Sequence, residues 1–165
     1  MISATDARVR TPGDLLLHPV AVAALVVVIV NDRVLKVRYP SEVSGKLSDF
    51  AGLVFFPLFL VAAIEGARWL YRRSSWPLTS RAVVVAVVVV GAAMVAIKTS
   101  QPAGDVYRTV MGAVLYPVNA AASVARGDGL PSLGRVGLVP DRTDLFALPF
   151  LLVPVWVAHR VMDAR

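Results

Sequence analysis

The sequence predicts an all-α fold: an integral membrane helical bundle of four transmembrane helices plus a shorter interfacial or partly inserted helix. Two observations carry this. Apolar residues make up 57% of the 165 residues, and the mean hydropathy of +0.69 exceeds what soluble domains usually carry. The apolar residues also gather in runs. Leu15 to Val30 holds one His and one Pro but no charge, and Ala82 to Ile97 holds no polar side chain. With its flanks, each run reaches the roughly 20 residues that cross about 30 Å of hydrocarbon. A buried core helix explains one such run in a soluble protein, but not several in one short chain. Residues 1–165 read as a single transmembrane domain.

The first span, about 14–35, follows the turn-forming Thr11-Pro12-Gly13, with Asp14 as its cap. Tyr39-Pro40-Ser41 closes it, because the residue before a proline disfavours the helical region. The run ends in Val30-Asn31-Asp32-Arg33 without a small-x-small cleavage pattern, so it reads as a retained span rather than a signal peptide. The second span, about 49–71, starts near Ser48-Asp49, and Trp69 and Tyr71 lie where an aromatic belt would put them. A basic turn, Arg72-Arg73-Ser74-Ser75-Trp76-Pro77, leads to a third span, about 80–98, capped by Thr79 or Ser80. The stretch 106–125 is apolar enough for a fifth crossing but holds Arg108, Gly112, Pro117 and Asn119. The interfacial reading is preferred for it. Residues 126–140, rich in Gly and Pro, read as a loop. The last span, about 143–162, carries Pro149 and Pro154, which predict a kink unless neighbours satisfy the freed carbonyls.

With no cysteine, disulfides and thiolate metal sites are excluded. The formal net charge is +6. The basic residues flank hydrophobic runs, where anionic lipid headgroups are the expected partners, and no nucleic-acid signature accompanies them. The 14 arginines against 3 lysines, with abundant Ala and Val, suggest a GC-rich bacterial genome and hence a bacterial inner membrane. Basic residues divide almost evenly between the two sides of a four-span chain. The arginines of the tight turn between spans two and three place the N-terminus in the cytoplasm.

Under the four-span model most acids fall on the face away from the termini. Asn31 and Asp32 end the first span, Lys46 and Asp49 begin the second, and Lys98 and Gln101 end the third, with Asp105 beyond. Asp141, Arg142 and Asp144 begin the last. Two readings stand. In one, Lys46, Asp49, Lys98, Asp105, Arg142 and Asp144 form a mixed-charge pocket. Its cations and the free N–H groups of helix N-termini would take an anionic lipid or lipid-linked headgroup, or its carboxylates a hard divalent cation. In the other, these charges are ordinary end chemistry that opposes helix dipoles and locks the bundle of a non-catalytic subunit or scaffold. A small oligomeric transporter or channel ranks third, since no inverted repeat is visible. No metal site or cofactor is expected.

His18, Glu65 and His159 lie deeper on the terminal side, and a contact between Glu65 and His18 is geometrically possible. The simpler task for Glu65 is to neutralise Arg68, three residues on. Catalytic templates are missing: there is no HExxH, GxSxG, Walker lysine loop or GxGxxG, so the sequence leans away from an enzyme. Gly91-Ala92-Ala93 offers a close-packing surface.

Three short stretches resemble the VanZ-like membrane proteins. In that family helix 2 opens with a lysine followed three residues later by His-Phe; here Lys46-Leu47-Ser48-Asp49-Phe50 has Asp49 for the histidine. Helix 3 there ends acid-x-x-Gln; here Lys98-Thr99-Ser100-Gln101 has a lysine for the acid. The last helix there opens Asp-Leu-x-Ala-Asn; here Asp144-Leu145-Phe146-Ala147-Leu148 lacks the asparagine. The resemblance implies a compact multi-span bundle with an envelope or lipid-facing role, and suggests a charge-swapped pair, Asp49 with Lys98.

Overall fold

The first helical run is assembled in pieces. The computed structural model describes residues 13–39, 41–72, 80–138 and 141–163. Thr11, Pro12, Pro40, the turn 73–79 and Thr79 as a cap lie outside them. Asp14–Leu17 is a 3-10 turn rather than the start of an α-helix. Its left-handed lead residue, Gly13 at φ 94°, is a conformation few other residues adopt cheaply. His18 then caps α1 (Pro19–Val30), its Nδ1 accepting the Val20 N–H at 3.3 Å. Pro19 stands at the first helical position, where its missing N–H costs nothing. The helix continues as a π-helical turn, Asn31–Leu35, and one last turn, α2 (Lys36–Arg38), which stops at Tyr39.

The second long helix, α3 (Glu42–Arg72), begins well before the Ser48-Asp49 expected from sequence. The cause is a reciprocal cap. Ser41 Oγ accepts the Ser44 N–H at 3.2 Å, and Ser44 Oγ lies 3.2 Å from the Ser41 N–H that it accepts. Two orphan donors are satisfied at once. Lys46 and Asp49 therefore sit inside the helix, and the free N–H groups expected beside them belong to residues further upstream. Helix α4 (Ser80–Thr99) matches its expected span closely.

The ambiguous stretch is a single long helix, α5 (Gln101–Arg126). Pro102 occupies its first turn. Gly127, at φ 81°, ends it: its N–H reaches the Val124 carbonyl while Asp128 N–H bonds the Ser123 carbonyl at 3.0 Å, the pairing of a Schellman cap. Residues 128–138 carry no helix or strand.

The last run starts as a long 3-10 helix, Arg142–Leu151, and becomes α6 (Leu152–Asp163). Ten residues is long for 3-10 geometry. Pro149 and Pro154, which bring no N–H to the ladder, flank the changeover.

Every described residue in regular structure is helical. Among the described residues, three helical runs are long and apolar enough to cross a membrane: Ser44–Arg72, Ser80–Thr99 and Arg142–Val161. The chain packs as two compact units, residues 1–91 with 146–165, and residues 92–145. In the first unit, Leu15, Ala21, Leu58, Val61, Val83, Ala86, Val157 and Ala158 share one core, drawn from the 3-10 turn, α1, α3, α4 and α6. Close approach rather than bulk shapes it. A Cβ on Gly91 would lie 2.8 Å from Leu151 Cδ1, so Gly91 has the close-packing role expected for its tripeptide. Phe50 and Phe150 add a tilted ring contact at 4.8 Å between centroids.

The second unit is built on α5. Two ladders stepped by four residues run along this helix. One is Gly104, Arg108, Gly112, Tyr116 and Ala120; the other is Val106, Val110, Val114 and Val118. They are offset by two residues, about 200° around a helix, so they occupy opposite sides. The first ladder is buried or half-buried, whereas all four valines are more than half exposed.

Candidate functional site

Each expected site residue was placed by its helix, and the two units divide the set. Lys46 and Asp49 are half-buried in the first unit, and both are engaged in polar interactions. Asn31 is fully buried at the start of the π-helical turn. Its amide donates to the Ser44 carbonyl and, at 2.6 Å, to Ser48 Oγ. Ser48 Oγ in turn donates to Asp32 at 2.6 Å, and Lys36 pairs with the same carboxylate at 2.7 Å. Asn31 Oδ1 is buried with no hydrogen-bond partner among the described residues. This knot ties the end of the first run to the opening turns of α3. The π-helical turn places Asn31 and its neighbour Asp32 together against Ser44, which carries no sequence signal, and Ser48, expected only as the start of the second span.

Lys98, Asp105, Arg142 and Asp144 belong to the second unit. Lys98 Nζ donates directly to Asp144 Oδ2, and both side chains are under one-tenth exposed. The carboxylate found with Lys98 in this unit is thus Asp144. Asp49, expected from the resemblance, belongs to the other unit. Asp105 is exposed and pairs with Arg108 at 3.3 Å, one turn along α5. Arg108 also donates to the Leu138 carbonyl at 2.6 Å and holds the loop to the helix. Asp141 caps the start of the last run: its Oδ1 accepts the Thr143 N–H at 2.8 Å and its Oδ2 the Thr143 hydroxyl at 2.7 Å. Arg142 and Gln101 are exposed.

The terminal-side residues have local tasks. Glu65 Oε2 accepts the Gly13 N–H at 3.1 Å, and His18 caps α1. His159 is exposed, beside Arg160, whose guanidinium lies 5.4 Å from the Trp156 ring centroid. No group of three or more His, Cys, Asp or Glu side chains among the described residues is arranged to hold a metal ion.

The feature that sequence reading missed is the loop-covered side of α5. A Cβ on Gly112 would lie 2.0 Å from the Gly134 carbonyl oxygen, so helix and loop meet backbone to backbone there. Val136 N–H donates to the Arg108 carbonyl at 3.3 Å, one turn away. Beside this contact is a cavity of about 150 Å³ lined by Tyr116, Asn119, Ser132 and Arg135. The signal was available in the two four-residue ladders, since small residues alternating with Arg and Tyr mark a side that another backbone approaches.

Comparison with family models, with curated proteins and with solved structures gave no match, so the likeness to the VanZ-like proteins rests on the three sequence stretches alone.

Proposed function

We propose that this chain is a non-enzymatic bacterial inner-membrane protein in which the segment between Lys98 and Asp144 forms a lipid-surface module that takes anionic headgroups. The observation that carries this is the buried Lys98–Asp144 pair. It joins the end of α4 to the start of the last run, so the chain between them leaves and returns at one membrane face. That supports four crossings, with the run from Pro19 to Arg38, about 30 Å of helical rise, as the fourth span and α5 as an interfacial helix. The exposed valine ladder suits the acyl boundary, and the opposite side, with its own loop laid over it, suits water and headgroups. Arg108, Arg126 and Arg135 supply the positive charge that anionic lipids attract.

In this reading Lys98 and Asp144 are a lock rather than ligands. A buried lysine already bonded to a carboxylate has little left to offer an anion. The headgroup contacts fall instead to the arginines of α5 and its loop, while Lys46 and Asp49 serve the first unit.

Native mass spectrometry of the full-length protein released from membranes tests the function. Retained phosphatidylglycerol or another anionic lipid, at near one per chain, is the expected result. A stoichiometric protein partner with no retained lipid would replace this reading with the scaffold.

A further inference from the structure

We propose that the cavity on the loop-covered side of α5 is a binding site for a phosphate group. The inference deepens the lipid-surface reading by naming the chemistry and the residues. The cavity, about 150 Å³, is lined by Gly112, Tyr116, Asn119, Ser132, Gly134 and Arg135 among others. That is about the volume that accepts a six-membered ring, so the five heavy atoms of a phosphate fit inside.

The lining chemistry selects an oxyanion. Arg135 brings a guanidinium with a fork of N–H donors, Tyr116 a phenol, Ser132 a hydroxyl and Asn119 an amide. No carboxylate lines the cavity. The other cations of this region are already paired, Arg108 with Asp105 and Arg126 with Asp128 at 3.0 Å. The side chains of Arg135, Tyr116, Asn119 and Ser132 make no hydrogen bond or ion pair among the described residues. Four polar residues able to donate, Tyr116 half-buried and the other three exposed, thus border one half-open space with no side-chain partner among the described residues. Their position is fixed by the backbone contact at Gly112 and by the bonds from Arg108 to Leu138 and from Val136 to Arg108. The cavity lies on the side of α5 away from the valine ladder. A phosphate at headgroup depth is therefore reachable when the valines are in the acyl boundary.

The phosphate can belong to a lipid headgroup or be free in solution. The test uses the full-length protein in phosphatidylcholine nanodiscs, titrated calorimetrically with dioctanoyl phosphatidic acid and, separately, with inorganic phosphate. The wild-type protein is expected to bind at least one probe. Arg135→Gln should weaken that binding about 10- to 100-fold, the range for loss of a charge-assisted bond. Asn119→Asp, which puts a like charge in the cavity, should do the same. Arg160→Gln, an exposed position on α6 outside the lipid-surface module, should bind within about two-fold of wild type, the scale of a screened surface charge. Binding of the lipid alone assigns the site to a headgroup, and equal binding of both assigns it to free phosphate. Wild-type protein that binds neither probe overturns the proposal, as does Arg135→Gln at wild-type affinity or an equal loss in Arg160→Gln. Arg135 is exposed, so its variant is expected to fold, and an unchanged thermal midpoint verifies that. If α5 instead crosses the bilayer, the lipid-surface reading fails whatever these titrations show.

Discussion

Replacing Lys98 by Met is expected to destabilise the protein by about 3–5 kcal/mol, the usual cost of leaving one member of a buried ion pair without its partner. The Lys98 and Asp144 side chains are 8% and 9% exposed, so solvent cannot compensate the remaining carboxylate. Asp144→Leu should cost a similar amount by stranding the ammonium. The double variant Lys98→Met with Asp144→Leu should recover most of the loss, because two apolar side chains of similar size can replace a buried pair at little net cost. Denaturation of the purified protein in mixed micelles, run as a double-mutant cycle, measures all four states. A large coupling energy with unchanged retention of anionic lipid in the double variant is the signature of a lock. Loss of lipid from a stable double variant would return these residues to the ligand set that the sequence suggested.

A second large effect is expected at Gly112. An alanine Cβ there would sit 2.0 Å from the Gly134 carbonyl oxygen and 3.1 Å from its carbon. Both are backbone atoms and cannot swing aside as a side chain can. The loop must lift from α5, which strains or breaks the 3.3 Å bond from Val136 to Arg108 and the 2.6 Å bond from Arg108 to Leu138. Overpacking of this kind costs about 1–3 kcal/mol, and the released loop should be cut by trypsin after Arg135 at least about ten times faster, as a rise in local opening dictates. Gly104→Ala is the contrast. Its nearest new neighbour is Leu138 Cδ2 at 3.2 Å, the end of a flexible side chain, so cleavage should change little. Equal cleavage of the Gly112→Ala variant and wild type would mean that the helix and loop do not meet as described.

The fold class was legible because hydrophobic length is a coarse signal that needs no partner: Ser80–Thr99 and the last run lie within a few residues of where sequence placed them. Boundaries set by side-chain capping were less so. The start of α3 was missed because Ser41 and Ser44 cap each other ahead of the first apolar residues, and the eye follows the apolar run. The prolines of the last run predict a kink, and the run changes from 3-10 to α geometry between them, a choice of helix type that proline spacing does not encode. Site residues were legible as types and not as pairs. Lys98 and Asp144 were both singled out, but their union depends on where a 45-residue excursion returns. No local spacing encodes that. Arg135 and Ser132, in a loop without periodicity, carried no sequence signal at all.

The central claim, that α5 lies in the membrane surface with its valines toward lipid, has a direct test. The chain has no cysteine, so each introduced cysteine across residues 106–125 gives a unique spin label in proteoliposomes. Leaving out Gly112, where a side chain would lift the loop, the account predicts that oxygen accessibility oscillates with a period near 3.6 residues, highest at Val106, Val110, Val114 and Val118 and lowest at the exposed Asn119 on the opposite side, where a water-soluble nickel reagent should reach instead. A smooth rise to one deepest point midway along the helix, on every side, would show that α5 crosses the bilayer. That result would separate Lys98 from Asp144 by the membrane and contradict the account.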